Sequence, residues 1–108
     1  MVTVARGEVW LVNLDPTVGS EIRKTRPAVI ISPPEIHDFL RTAIVAPMTT
    51  GSRPAPYRVG ASFQGKEGLI LLDQLRTVDR ARLVRRLGTV EPAVLEETLS
   101  ALRSVFED

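Results

Sequence analysis

The chain has 108 residues, 44% of them apolar and 25% charged, with 7 Gly and 8 Pro. These figures describe one globular domain over residues 1–108 and exclude a disordered tail, a collagen-like repeat, a coiled coil and a two-domain cofactor enzyme. With no Cys and a single His, His37, disulfides, thiolate chemistry, multi-histidine zinc sites and a two-histidine acid–base pair are excluded as well.

The formal net charge of +1 averages two unlike parts. Residues 91–108 carry a local net of −4, and the first 90 carry +5. The bases cluster as Arg23, Lys24 and Arg26 and again as Arg76, Arg80, Arg82, Arg85 and Arg86; only two of the fourteen are Lys. Arginine's planar fork suits bidentate phosphate contact, and a polyanion partner is favoured, but not by charge alone, since a solvated face laced with ion pairs accounts for such clusters about as well. No stretch approaches the roughly 20 apolar residues that span a bilayer. The first six residues lack the basic, apolar and cleavage regions of a signal peptide. A soluble cytoplasmic protein with no membrane partner is expected.

In chain order, Glu8-Val9-Trp10-Leu11-Val12-Asn13-Leu14 alternates as a strand with both faces partly covered. Residues 18–25 form a polar, glycine-containing loop. Pro27-Ala28-Val29-Ile30-Ile31 is a short β-branched run of the kind found in a buried central strand. Pro34 can open a short helix through Leu40, with Ile36, Phe39 and Leu40 on one side and His37 on the surface or flank. Ala43-Ile44-Val45-Ala46 is another buried strand, followed by a proline-rich loop to Pro56 and a short strand at Tyr57-Arg58-Val59. Gly68-Leu69-Ile70-Leu71-Leu72 is continuously apolar and ends in Asp73-Gln74. A helical turn is expected around residues 79–82 and a last strand at residues 87–90. After Pro92, Leu95, Leu99, Leu102 and Phe106 recur at helical spacing. Trp10 and Phe106 are read as core. Five or six short strands with one inserted and one terminal helix give an α+β, mainly β, strongly bent small barrel.

Three segments place polar groups beside buried strands. The loop before Pro27 delivers Arg26 to the start of a strand, where a side chain is held more firmly than at a loop tip. Arg26 either stabilises charge in a reaction or pairs with Glu21 or Asp15 as a structural ion pair. Thr49 and Thr50, just past a strand-ending proline, either donate to a phosphate or cap the turn. Asp73 and Gln74 leave an apolar strand together and must find partners or line a site. Glu21 and Asp73 are the available proton acceptors.

Taken together, the ordered segments Arg6-Gly7-Glu8-Val9-Trp10, Leu14-Asp15-Pro16-Thr17-Val18-Gly19-Ser20-Glu21, Arg26-Pro27-Ala28-Val29-Ile30-Ile31-Ser32-Pro33, Val45-Ala46-Pro47-Met48-Thr49-Thr50, Gly68-Leu69-Ile70-Leu71-Leu72-Asp73-Gln74-Leu75-Arg76-Thr77-Val78 and Leu87-Gly88-Thr89-Val90 resemble the MazF/PemK family of toxin endoribonucleases. The resemblance covers essentially the whole chain. It implies an SH3-like barrel that forms a homodimer and cuts single-stranded RNA, mRNA included, at a short sequence motif. The cut would need no metal or other cofactor: the ribose 2′-OH attacks its neighbouring phosphate, leaving a 2′,3′-cyclic phosphate and a 5′-OH.

The resemblance also assigns residues. Arg26 and Thr49 match the family's active pair, and Glu21 its loop acid, as base or 2′-OH positioner. Asp15, Ser20, Arg23, Lys24, Thr50, Asp73, Gln74 and Arg76 are expected along the substrate groove. PemK-type members have an arginine two residues before the aspartate of the Asp-Gln pair, where this chain has Leu71, so the Arg26/Thr49 arrangement is preferred. A cognate antitoxin with an acidic, disordered segment would occupy the same basic groove. The rival reading is a same-fold toxin that binds protein, a gyrase poison without nuclease activity. Such toxins act through a Trp-containing tail, whereas this chain ends Val105-Phe106-Glu107-Asp108. The loops over residues 18–25 and 50–56 are the expected base-reading elements.

Overall fold

Successive side chains of a strand point to opposite faces, so a strand with apolar residues at consecutive positions has to be covered on both. That is the position of β1 (Glu8–Asn13), where Val9, Trp10 and Val12 are all buried. In the computed structural model, which describes residues 3–22 and 24–107, β1 pairs antiparallel with β2 (Thr25–Ile30) and β7 (Leu83–Thr89). β2 pairs in turn with β3 (Thr42–Thr49). β4 (Arg58–Phe63) and β5 (Lys66–Leu71) form a hairpin, and β6 (Arg76–Asp79) is a short further strand. Among the described residues the sheet runs β4-β5-β3-β2-β1-β7, with β6 also on β3. Helices α1 (Pro34–Phe39) and α2 (Pro92–Val105) complete the expected mainly β, α+β architecture.

The bend is built into β3. One of its edges is shared: Thr42 to Val45 pair with β6, whereas Met48 and Thr49 pair with β5. The switch falls at Ala46 and Pro47, and Pro47 has no N–H to offer a ladder. A proline is therefore tolerated inside this buried strand because it stands where one partner leaves and the next has not begun. A 3-10 turn at Leu72–Gln74 lifts the chain from one partner position to the other. The ladder stays open between β4 and β7, where Gln64 Nε2 donates to Leu87 O at 3.4 Å.

Two apolar clusters fill the two faces. One, with Val9, Val29, Met48, Ile70 and Leu72, lies against Leu95, Leu99 and Leu102 of α2. The other gathers Trp10, Val12, Leu14, Ile30 and Val45. Fully buried side chains such as Leu14, Ile30 and Ile70 each contribute on the order of 2 kcal/mol relative to exposure. Gly7 has φ of +90°, and a Cβ there would lie 3.0 Å from Leu95 Cδ2, so the approach of α2 to β1 requires glycine.

Four expectations need correcting. Phe106 is 77% exposed because α2 ends at Val105, so the apolar spacing runs one step past the helix. His37 is buried, while Phe39 is 84% exposed: a six-residue helix has fewer than two turns, and Ser32 and Val4 fix its rotation. Val4 O can only accept, so His37 Nδ1 donates to it at 3.0 Å; Nε2 then accepts from the Ser32 hydroxyl at 2.5 Å, and Ser32 Oγ accepts from Ile44 N–H at 2.9 Å. The short strand expected at Tyr57 begins at Arg58, Tyr57 itself having φ of +64°. The last strand starts at Leu83 rather than Leu87, after a 3-10 turn at Arg80–Arg82. No helix among the described residues is long and apolar enough to cross a membrane.

Candidate active site

Arg26 reaches its place through register. It is the Cα partner of Val12 on one side, and on the other the β2–β3 ladder runs from Ile30↔Val45 to Ala28↔Pro47. Continuing that register by two residues brings Arg26 level with Thr49. Both side chains line one hollow of about 250 Å³, which Thr50 and, from the β4–β5 hairpin, Phe63, Gln64 and Lys66 also line. Gly68 closes against it on β5. A Cβ at Gly68 would stand 2.6 Å from Thr49 O, so only glycine lets β5 come this near the threonine backbone.

Of the two readings of Thr49, the turn cap is what the hydrogen bonds show. Its Oγ1 accepts from Gly51 N–H at 3.2 Å, which caps the turn. A hydroxyl has one donor and two acceptor sites, so this cap leaves the proton available for an anion in the hollow.

A second hollow of about 380 Å³ lies along β3 beside Pro47, with Glu21, Asp73, Gln74 and Arg76 on its walls. Seven of the eleven expected site residues thus fall into two adjacent groups: Arg26, Thr49 and Thr50 in the first, and these four in the second. Glu21 Oε1 accepts from Val18 N–H at 2.5 Å while its own N–H donates to Val18 O, which folds the loop tip on itself. Gln74 Oε1 accepts from Ile22 N–H at 2.6 Å and ties that loop to the 3-10 turn. Arg76 Nη1 donates to Leu14 O at 3.0 Å.

Asp15 Oδ1 accepts from Lys24 N–H at 3.0 Å, so it braces the base of the loop, where Lys24 has φ of +70°. Neither Asp15 nor Lys24 lines either hollow, and Ser20 lies exposed on the same loop. Arg23 lies outside the described residues.

Asp73 is engaged rather than open. Arg58 grips it with both ends of its fork, Nε to Oδ1 at 3.0 Å and Nη2 to Oδ2 at 2.9 Å, and also donates Nη1 to Arg53 O at 3.1 Å. Hydrogen bonds from Arg58 hold the Asp73 carboxyl below its ordinary range; partial burial opposes this and the guanidinium charge adds to it. A carboxylate so held is a poor general base, which corrects its reading as a proton acceptor.

Sequence reasoning missed Phe63, Gln64, Lys66 and Arg58. The signal available was the Gln64-Gly65 pair, a two-residue turn between short runs. Chemically, the first hollow joins a fixed guanidinium, a hydroxyl donor and an ammonium to an aromatic wall, a combination suited to a phosphate that carries a base. Among the described residues no group of three or more His, Asp or Glu is placed to hold a metal ion.

Comparison with known proteins agrees over nearly the full length. A family model described as "PemK-like, MazF-like toxin of type II toxin-antitoxin system" matches residues 5–106. Endoribonuclease PemK of Escherichia coli is 38% identical over 107 residues, covering 94% of this chain and 80% of the relative. Endoribonuclease toxin MazF of Escherichia coli strain K12 is 37% identical over 91 residues, covering 83% of this chain and 82% of the relative. The crystal structure of MazF from Deinococcus radiodurans superposes with a TM-score of 0.85 at 26% identity, covering 97% of each chain.

Proposed function

We propose a reaction scheme from one premise: this chain belongs to the family of PemK-like, MazF-like toxins of type II toxin–antitoxin systems, and it is an endoribonuclease. The observation that supports the scheme is the shared hollow of Arg26 and Thr49. The substrate is single-stranded RNA, mRNA among it, cut at a short motif. Its own 2′-OH attacks the adjacent phosphate, the bond to the 5′-oxygen breaks, and a 2′,3′-cyclic phosphate and a 5′-OH result. Because the nucleophile comes from the substrate, the protein has to supply geometry, charge on the phosphorane and proton transfer, and no cofactor is called for.

Arg26 stabilises the charge that builds on the phosphorane oxygens; its high pKa makes it a poor literal proton donor. The Thr49 hydroxyl donates to a phosphate oxygen and fixes its orientation. Glu21, on the wall of the neighbouring hollow, takes or positions the 2′-OH proton. Thr50 in the first hollow, and Gln74, Arg76 and the Arg58-held Asp73 in the second, line the groove beside these three. Asp15 and Lys24 brace the loop that carries Ser20, and Arg23 is assigned to the substrate with them by the family resemblance alone.

Residues 1–108 act as one toxin unit in the cytoplasm, where transcripts are available. Two copies assemble as a homodimer, and the exposed Phe39, Leu40, Val84 and Phe106 are apolar surface for such contacts. The family's toxin–antitoxin description supports a cognate antitoxin, whose acidic disordered segment would compete with RNA for the basic groove. A gyrase-poison reading has no such support, since the curated relatives are named as endoribonucleases.

The test is cleavage of a long single-stranded RNA in EDTA, beside the same RNA carrying 2′-deoxy substitutions at the mapped cut. Discrete cuts that vanish with the deoxy substrate are expected. Arg26→Ala should lower kcat by about 10²- to 10³-fold, the usual loss of one charge-stabilising group, with an unchanged circular dichroism spectrum. Cutting that requires a divalent ion, or survives the deoxy substitution, would overturn the scheme.

A further inference from the structure

The two cleavage residues occupy one side of their hollow; the other side belongs to a hairpin that the catalytic scheme leaves without a task. Phe63 and Lys66 are direct cross-strand partners in the last rung of β4 and β5. Between them Gln64 and Gly65 both have positive φ, 51° and 77°, the tightest connection two antiparallel strands can make. A two-residue turn of this kind has little freedom to move.

The tip is further braced from β7. Gln64 Nε2 reaches Leu87 O at 3.4 Å. Phe63 is seated where Gly88 has no side chain: a Cβ at Gly88 would lie 3.2 Å from Phe63 Cζ. The ring also packs on the apolar cluster under α2, so part of it is anchored while part lines the hollow. Lys66, at the exposed end of the same rung, brings an ammonium to the hollow that Arg26 lines.

A half-anchored aromatic ring beside two cations and a hydroxyl donor matches a nucleotide, whose base has a π face and whose phosphate is anionic. The hollow's volume of about 250 Å³ lies below the range of sites for drug-sized ligands, in keeping with a single planar ring. We infer that the β4–β5 hairpin holds the nucleobase next to the scissile phosphate, with Phe63 as the wall on which the base stacks and Lys66 as a second phosphate cation. This rests on Arg26 and Thr49 being the cleavage pair, because they fix where the scissile phosphate lies. It moves base recognition partly away from the loops over residues 18–25 and 50–56.

The test separates binding from cutting. Binding is read by fluorescence anisotropy on a labelled 2′-O-methyl oligonucleotide of the mapped cut sequence or, if the wild type cuts nothing, on a random-sequence 2′-O-methyl pool. Lys66→Ala should weaken binding and reduce the slope of log affinity against log salt by about 0.7, the value of one phosphate contact on a single strand. Lys66→Arg should restore the slope. Phe63→Leu keeps an apolar side chain against Gly88 and should weaken binding about 5- to 100-fold, with no change of slope. Phe63→Tyr should bind as the wild type does. In cleavage assays the losses should fall on KM more than on kcat, and Phe63→Leu should relax the base preference beside the cut.

If Phe63→Leu and Lys66→Ala retain wild-type affinity and salt slope while the wild type cleaves, the hairpin reading is overturned and the cleavage scheme stands. If the wild type fails to cleave yet both variants lose affinity as stated, the cleavage scheme falls and takes with it the placement beside a scissile phosphate, and only the hairpin's contact with RNA stands. Lys66 is exposed, so its variants carry little risk to folding and keep the test decisive should Phe63→Leu unfold.

Discussion

Asp73 shows how a residue singled out for chemistry can be spent on structure. Its carboxylate receives two hydrogen bonds from Arg58, which also reaches Arg53 O and so fixes the proline-rich loop against the end of β5. The same contact accounts for Arg58 being half-buried in a strand that otherwise faces solvent at alternate positions. Since the bonds hold the carboxyl below its ordinary range, the folded chain binds fewer protons there than the unfolded chain. Stability from the pair is therefore present above the unfolded pKa, near 3.9, and is lost as pH falls through the lower folded value. Urea unfolding of the wild type and of Asp73→Asn should show a deficit for the variant at pH 7 that shrinks towards pH 3. The deficit should be small because the carboxylate is 41% exposed. A deficit that grew on acidification would mean that the carboxyl is protonated in the fold.

At the scale of elements, what was legible in the sequence is what the core made periodic. The runs that became β1, β2, β3 and β5 announced themselves because both faces are covered, and Pro92 marked the start of α2. β6 was not legible: only Val78 of its four residues is buried, so no pattern exists to read. β4 was legible only at its first residues, Arg58 and Val59, because beyond them its one buried position is the small Ala61. The candidate site was legible at Arg26 and Thr49, which are punctuated by prolines. Its hairpin side was not, because Phe63 and Lys66 acquire meaning only when β5 is laid against β3. Gly68 makes that juxtaposition possible, and its substitution tests the positioning of Thr49. In Gly68→Ala the new Cβ would meet Thr49 O at 2.6 Å, so the two strands must part. If Thr49 has the proposed role, a shift of its hydroxyl by about 1 Å costs on the order of 10²-fold in rate. We expect kcat to fall by that order while the chain remains folded by circular dichroism. Full activity in Gly68→Ala would show that Thr49 tolerates the shift and is not a precisely placed donor.

Over the whole molecule the arginine cluster does two jobs at once. Arg76 donates to Leu14 O, Arg82 to Asn13 O and Asp15 O, Arg80 to His37 O and Arg6 to Ile31 O. Guanidinium forks thus clamp strand ends and loops by their backbone carbonyls. A carbonyl is neutral, so a bond to it does not cancel the guanidinium's charge, whereas Arg58 and Arg86 are paired with the carboxylates of Asp73 and Glu8. The part of the chain before residue 91 has a net of +5, a field around both hollows, while the net of −4 is confined to residues 91–108, in and around α2. The same residues that fix the fold make it attractive to a polyanion. Affinity for single-stranded RNA should then fall linearly on a log–log plot as salt rises, with a slope of about −0.7 for each phosphate engaged. Three engaged phosphates would give a slope near −2, and an acidic antitoxin segment should compete more weakly in the same salt series. A flat response between low and moderate salt would mean that the retained charge is not what holds the RNA, leaving base contacts in the hollow to supply the affinity.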